Sequence, residues 1–303
     1  MASFETFLWW IFIIFTLICG GFCIEAHYRY KNKNGIDNEY KFSNKYKYFG
    51  QPVYDKQNKI HGYELLLREY NQHTNKWQLP RNVVDFPLSK IVSTIQEINP
   101  QLKDIANLSL NMTVSQITDF RAEYFFTWVL GTTNIKQLVI ELDTNDIRRA
   151  NIFKRKEILH MFKKLQHPQI KITIENVDSS KKTYNLLQQY FPYITYLKFN
   201  IHSFNKSANH WIDITLAQWQ RRIAIFNIEM IVGKIEDINQ VALVNQLNIP
   251  FRQGYAYGHP ENHNHPSNGW FAHRYKPIIK AGVSRRWLSL CSSQNALTTL
   301  PPL

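Results

Sequence analysis

From residue 48 onward, short apolar runs alternate with longer stretches in which apolar positions recur at helical spacing. The first run covers 49–55, turns through Lys56-Gln57-Asn58-Lys59 and returns over 60–67. Further strands are predicted over 108–111, 137–142, 170–175, 196–199 and 226–232, with a last strand-like stretch at 251–255. Between them the spacing predicts helices over 83–98, 115–129, 148–166, 180–190, 214–222 and 239–247. Repeated strand–helix units in one block of about 200–250 residues predict an α/β fold, a (β/α)8 TIM-like barrel, with a doubly wound sheet as the alternative. No short-period repeat and no long linker divides the block.

The N-terminus has a different pattern. Residues 7–24, FLWWIFIIFTLICGGFCI, run eighteen positions without a charge, close to the roughly 20 needed to cross a bilayer as a helix. A cleaved signal peptide is the competing reading. Against it, residues 1–6 lack Lys and Arg and include Glu5, and no small-x-small cleavage site follows. Between residues 27 and 47, Arg29, Lys31, Lys33, Lys41, Lys45 and Lys47 stand against Asp37 and Glu39. The positive-inside rule then puts the C-terminal side in the cytoplasm. The expected organisation is a transmembrane anchor at 1–26, a basic juxtamembrane segment at 27–47, a barrel at 48–280 and a tail at 281–303.

Composition narrows the class. With 8 Trp, 16 Tyr and 19 Phe in 303 residues, the chain is not a disordered one. A net charge of +13 calls for nucleic acid, anionic headgroups or a polyanionic small ligand as partner. The basic segment on anionic lipid, at about 1 kcal/mol per cation, accounts for part of that charge, so no direct nucleic-acid contact is expected. Cys19 and Cys23 lie in the apolar stretch and Cys291 stands apart, which gives no disulfide framework and suits a reducing compartment.

In a barrel, chemistry sits at the C-terminal ends of the strands. The polar residues predicted there are Glu64, Asn111, Glu141, Glu175, Asn176, Lys198 and Gln253. Glu64 stands inside Tyr63-Glu64-Leu65-Leu66-Leu67-Arg68, where a buried carboxylate is costly unless a cation or donor meets it. Arg68 is the nearest cation in sequence. Taken singly, each of these residues reads as a capped strand end or an ion pair. Together they form an oxygen-rich mouth of the kind that holds Mg2+ or Mn2+.

The signature strand 63–68, with Gln51-Pro52-Val53, Leu108-Ser109-Leu110-Asn111, Val139-Ile140-Glu141, Tyr196-Leu197-Lys198 and Gln253-Gly254-Tyr255, resembles the EAL domain. This is the bacterial phosphodiesterase family that linearises cyclic di-GMP. The resemblance runs from about residue 48 to 260; with the topology expected above, the domain lies in the cytoplasm at the inner membrane. The resemblance implies metal ligation by Glu64, Asn111, Glu141, Glu175 and Asn176, catalytic roles for Lys198 and Glu236, and nucleotide contacts from Gln51, Arg68 and Gln253. In the family, two metal ions about 4 Å apart activate the attacking water.

The departures from the family pattern carry as much as the matches. Leu65 replaces the usual Ala, a mild change. Where the family has Asp-Asp-Phe-Gly, this chain reads Glu175-Asn176-Val177-Asp178, followed by Ser179-Ser180-Lys181-Lys182. Where it has Ala-Glu-Gly-Val-Glu-Thr, this chain reads Val232-Gly233-Lys234-Ile235-Glu236-Asp237, so Gly233 replaces a Glu needed for activity. Thr144 stands where a further Glu is usual. A dimetal site needs several negative ligands to offset four positive charges, so one ion is expected rather than a tightly held pair. The expectation is an inactive EAL domain that binds cyclic di-GMP or a regulatory protein partner. The alternatives are an active phosphodiesterase and a structural scaffold; a homodimer is left open.

Two other signals have plain readings. His259, His263, His265 and His273 lack an accompanying Cys and read as a polar loop rather than a zinc site. The basic stretch 148–166 reads as the solvated face of an outer helix, with an acidic partner surface kept open.

Overall fold

The first element of the barrel is a hairpin. In the computed structural model, β1 (Tyr46–Asp55) turns at Asn58, in the left-handed conformation, and pairs antiparallel with β2 (Ile60–Asn71). Asp55 fixes the turn by accepting from the Gln57 and Lys59 amides. A connection this short joins only antiparallel strands. The structure describes residues 2–30, 46–80, 88–99, 102, 105–205 and 211–260. Residues 31–45 of the expected juxtamembrane segment, the start of the predicted helix at 83–98, Cys291, three of the four histidines (His263, His265 and His273) and the expected tail 281–303 lie outside them.

The remaining strands are β3 (Lys76–Gln78), β4 (Asn107–Met112), β5 (Gln137–Asp143), β6 (Ile170–Val177), β7 (Tyr196–Asn200), β8 (Glu229–Gly233) and β9 (Phe251–Arg252). β2, β4, β5, β6, β7, β8 and β9 follow one another in parallel around the ring. β1 closes it, antiparallel to both β2 and β9. The predicted barrel is present, with one strand reversed, and β3 is an addition that extends β2 beyond the mouth. Because β1 runs backwards, the chain enters the barrel from the mouth side.

Helices cover the outside: α2 (Leu88–Ile98), α3 (Val114–Ile117), α4 (Ala122–Thr132), α5 (Thr144–Arg149), α6 (Ile152–Lys164), α7 (Lys181–Leu187), α8 (Leu216–Ala224) and α9 (Ile238–Gln246), where α1 is the N-terminal helix described below. Two predicted helices are each split. The stretch 115–129 becomes α3 and α4, and 148–166 becomes α5 and α6, separated by Ala150 and by Asn151, which caps α6 by accepting from the Lys154 amide. Both halves face the same core, so the apolar spacing carries straight across the break. The predicted strand 226–232 begins later, at Glu229, because Asn227 adopts a left-handed turn. Strand and helix layers meet over a core that includes Leu65, Leu108, Leu110, Ile140, Ile172, Ile174, Leu197, Phe199 and Trp219.

Part of the basic charge of α5 and α6 is paired, within these helices or with neighbouring elements. Arg148 pairs with Asp178 at 3.0 Å, Arg155 donates to the Ile147 and Arg148 carbonyls, Lys154 pairs with Glu157, and Lys164 pairs with Glu123. The solvated-helix reading fits these contacts.

α1 (Ala2–Tyr30) is a 29-residue helix. Within it Ser3–His27 is long and apolar enough to cross a membrane, and its side chains are exposed, among them Trp9, Phe15 and Leu17. At about 1.5 Å per residue it exceeds the roughly 30 Å of a hydrocarbon core.

Candidate functional site

Strand alternation builds the site. Side chains two residues apart share a face, and the inward positions of the barrel form two layers. The lower is apolar: Val53, Val139, Tyr196, Ile231 and Phe251 make a separate buried cluster. Gly62 belongs to this level, where a Cβ would come within 2.5 Å of the Asn107 carbonyl oxygen. Two residues further along, the same strands give Gln51, Glu64, Glu141, Lys198, Gly233 and Gln253. The apolar layer below excludes water, and the polar layer above opens into a cavity of about 650 Å3. Glu64 is not at a strand end. β2 runs seven residues past it into the ribbon with β1 and β3, so Glu64 lies on a barrel wall.

Lys198 organises the polar layer. Its Nζ donates to Glu64 Oε2 at 2.7 Å and to Glu141 Oε2 at 2.8 Å, and stands 3.6 Å from Glu175 Oε2. Glu64 also accepts from Asn111 Nδ2 at 2.6 Å and from Gln253 Nε2 at 2.8 Å. Arg68, the nearest cation in sequence, is not its partner; it donates to the Leu67 carbonyl at 2.9 Å. Burial opposes the charge on Glu64, but Lys198 and the donated hydrogen bonds outweigh burial and hold the carboxyl below its ordinary value. Burial raises Glu141, reinforced by Glu64 and opposed by Lys198. Glu175 is pushed up to about 8, by burial first and then by Glu64, Glu141 and Asp143 against Lys198. For Lys198, burial favours the neutral amine, yet the three glutamates prevail and raise it well above the ordinary lysine value. The charged ammonium is therefore the favoured form.

Glu64, Glu141 and Glu175 each offer a carboxylate oxygen, all within 4.8 Å of one another. This donor set fits a hard divalent ion. Asn176 stands apart from it. Glu175 and Asn176 sit where the register between β6 and β7 slips, a bulge that re-aims both side chains. Asn176 has φ +54°, and its amide donates to Asp143 Oδ2 at 2.6 Å while its Oδ1 accepts from Lys234 Nζ at 2.9 Å. Both ends of the amide are engaged. Asp143 is itself committed through Oδ1 as the cap of α5.

The other expected residues fall around the rim. Gln51 is buried and donates to the Gly258 carbonyl at 3.0 Å. Arg68 lines the cavity near Tyr255. Glu236 lines the mouth but is half-exposed, 3.8 Å from His202 Nε2 and outside the carboxylate cluster. Leu65 belongs to the buried apolar core and also borders the cavity, so its replacement of Ala changes packing and leaves the charge of the mouth as it is. Gly233 has room: an added Cβ would meet Lys198 Cε at 3.5 Å, an ordinary contact. Sequence reasoning missed Asp143 and Lys234. A cap signal at Asp143-Thr144-Asn145 and a lysine inside the Gly233 turn were the available clues.

Comparisons with known proteins agree with this architecture. The FimX EAL domain from Pseudomonas aeruginosa bound to c-di-GMP superimposes with a TM-score of 0.56 at 18% identity, over 72% of this chain and 92% of that one. The FimX EAL domain of Xanthomonas citri in complex with c-di-GMP gives 0.61 at 12% identity, over 78% and 95%. The PaMucR phosphodiesterase in its c-di-GMP complex gives 0.54 at 17%, over 72% and 92%. No curated protein matches by sequence. The model of the EAL domain matches residues 42–260, most of the chain and all of the barrel strands, and the protein belongs to the EAL domain family.

Proposed function

We propose that the chain is a membrane-tethered EAL-domain protein that binds cyclic di-GMP in its mouth without linearising it, and regulates a protein partner. One observation carries the loss of hydrolysis: the Asn176 amide is held between Asp143 and Lys234, at a position where a dimetal centre needs a carboxylate. Gly233 adds no ligand there, and the nearest carboxylate, Asp143, is already taken up by the Asn176 amide and by the cap of α5. The three glutamates fit one Mg2+ or Mn2+, which supplies Lewis acidity when bound. Losing a metal ligand or base lowers rate or metal affinity by a factor of about 10^2.

The chain's own residues suit a binding role. Gln51, Arg68, Tyr255 and Gln253 line a cavity of the size that takes small-molecule ligands, and Gln253 is oriented by its bond to Glu64. Solved relatives of the same fold carry c-di-GMP. The tether is α1, read as a single-pass anchor in the inner membrane with the barrel on the cytoplasmic side.

An active phosphodiesterase is the second reading, favoured by the intact Glu64–Asn111–Glu141–Lys198–Gln253 network. The full chain in detergent micelles, titrated calorimetrically with cyclic di-GMP in Mg2+ or Mn2+ and followed for product by chromatography, separates the two. Binding without linear pGpG is expected. Turnover at a rate ordinary for an enzyme overturns the proposal.

A further inference from the structure

Lys234 is an unusual residue for its place. It has φ +61°, a left-handed conformation that costs an L-residue roughly 1–2 kcal/mol. The turn would favour glycine, which is also the residue that the family pattern has here. Its backbone strain is accompanied by a specific placement of charge: the ammonium reaches across the mouth to Asn176 Oδ1 at 2.9 Å. Asn176 is itself left-handed, so two residues in a disfavoured conformation meet at one hydrogen bond.

Among the described residues, the cations lining the cavity are Arg68, Lys198 and Lys234. Lys198 is buried and committed to Glu64 and Glu141. Arg68 is partly buried and donates to the Leu67 carbonyl. Lys234 is exposed, and its partner is a neutral amide oxygen. A phosphate oxygen is a stronger acceptor for an ammonium than an amide carbonyl, because both partners of that bond are charged. The lysine stem can swing its charge off Asn176 with little loss, and Asn176 then keeps its bond to Asp143.

We infer that Lys234 is a ligand-binding residue: its ammonium takes a phosphodiester oxygen of the bound cyclic dinucleotide and supplies the positive charge that a second divalent ion would bring. Binding in this mouth is thereby independent of metal. The inference rests on the cyclic di-GMP reading above and goes beyond it by naming the group that meets the phosphate.

The test is calorimetric titration of the full chain in detergent micelles with cyclic di-GMP, in EDTA and in Mg2+, for the wild type, Lys234→Met and Lys234→Arg. The wild-type Kd is expected to agree between EDTA and Mg2+ within about threefold. Lys234→Met should weaken binding at least tenfold in EDTA, the order of one lost charge-assisted hydrogen bond. Lys234→Arg should retain most of the affinity, and all three proteins should melt together because the side chain is exposed. If the wild type binds but Lys234→Met binds equally well, or if the wild type needs Mg2+, this inference falls and the cyclic di-GMP reading stands. If the wild type binds under neither condition, both fall.

Discussion

The two walls of the mouth differ in what holds their side chains. On one, Glu64, Glu141, Lys198 and Gln253 are buried, and hydrogen bonds connect each of them to the network. On the other, Glu175, Asn176 and Lys234 are half-buried or exposed and sit on a bulge and a left-handed turn. The first wall is difficult to change whatever the protein does, because removing one member of a buried ion network leaves its partners charged in a low-dielectric interior. The second wall can change without leaving Glu64 or Glu141 charged and unpaired in the interior. An intact signature strand therefore says more about folding than about turnover, and the exposed wall is the better reporter of chemistry.

Stability measurements can break this contrast. The largest effect is expected for Lys198→Met, which strands Glu64 and Glu141; urea denaturation should show a loss of about 3–5 kcal/mol. Adding Glu64→Gln and Glu141→Gln should recover part of that loss. A small loss for the single variant would mean that the buried wall is not held by its charges.

Gly254→Ala comes next. Gly254 has φ +149°, and a Cβ there would fall 2.2 Å from both the amide nitrogen and the carbonyl oxygen of Ile235. The backbone around Gln253 must shift, with an expected loss of about 3 kcal/mol in the same assay.

Glu175→Gln tests the second wall through pH. A carboxyl raised to about 8 in the folded protein ionises more easily unfolded, so its contribution is fully present below its ordinary value near 4.3 and is lost as pH rises towards 8. Glutamine mimics the neutral form. Variant and wild type should be equally stable near pH 4.5 and diverge in favour of the variant above pH 8, in EDTA, by at least about 2 kcal/mol of the roughly 5 that the full shift represents, because solvent at the half-buried carboxyl screens part of it. A pH-independent difference would sink that assignment.

The smallest effect is expected at Gly233→Ala, where the added methyl meets only ordinary contacts. Thermal melts should place it within about 1 kcal/mol of the wild type. Together with Gly254→Ala, it compares two glycines of one mouth, one required by the backbone and the other without a steric requirement.

Much of the barrel was legible because its strands are short apolar runs with a polar residue at a fixed inward position, as at Asn111, Glu141 and Lys198. The reversed first strand was legible too, in the tight turn at 56–59, although a regular (β/α)8 barrel has all its strands parallel. The pairings were harder to read. Glu64 has Arg68 four residues away, yet its cation is Lys198, 134 residues downstream. Asn176 and Lys234 are 58 residues apart and meet only because strands two places apart in the ring converge at the mouth. Nothing local in a sequence carries that distance.

The bonds that converge on Glu64 also set an order of events during synthesis. Its partners lie 47, 134 and 189 residues downstream, and the last, Gln253, follows directly on the strand that closes the ring against β1. Loop-closure entropy must be overcome before so distant a contact forms. A nascent chain that has emerged only as far as α8 thus has a signature strand and most of its helices but an open barrel. Glu64 acquires its full set of partners only when the final strand docks.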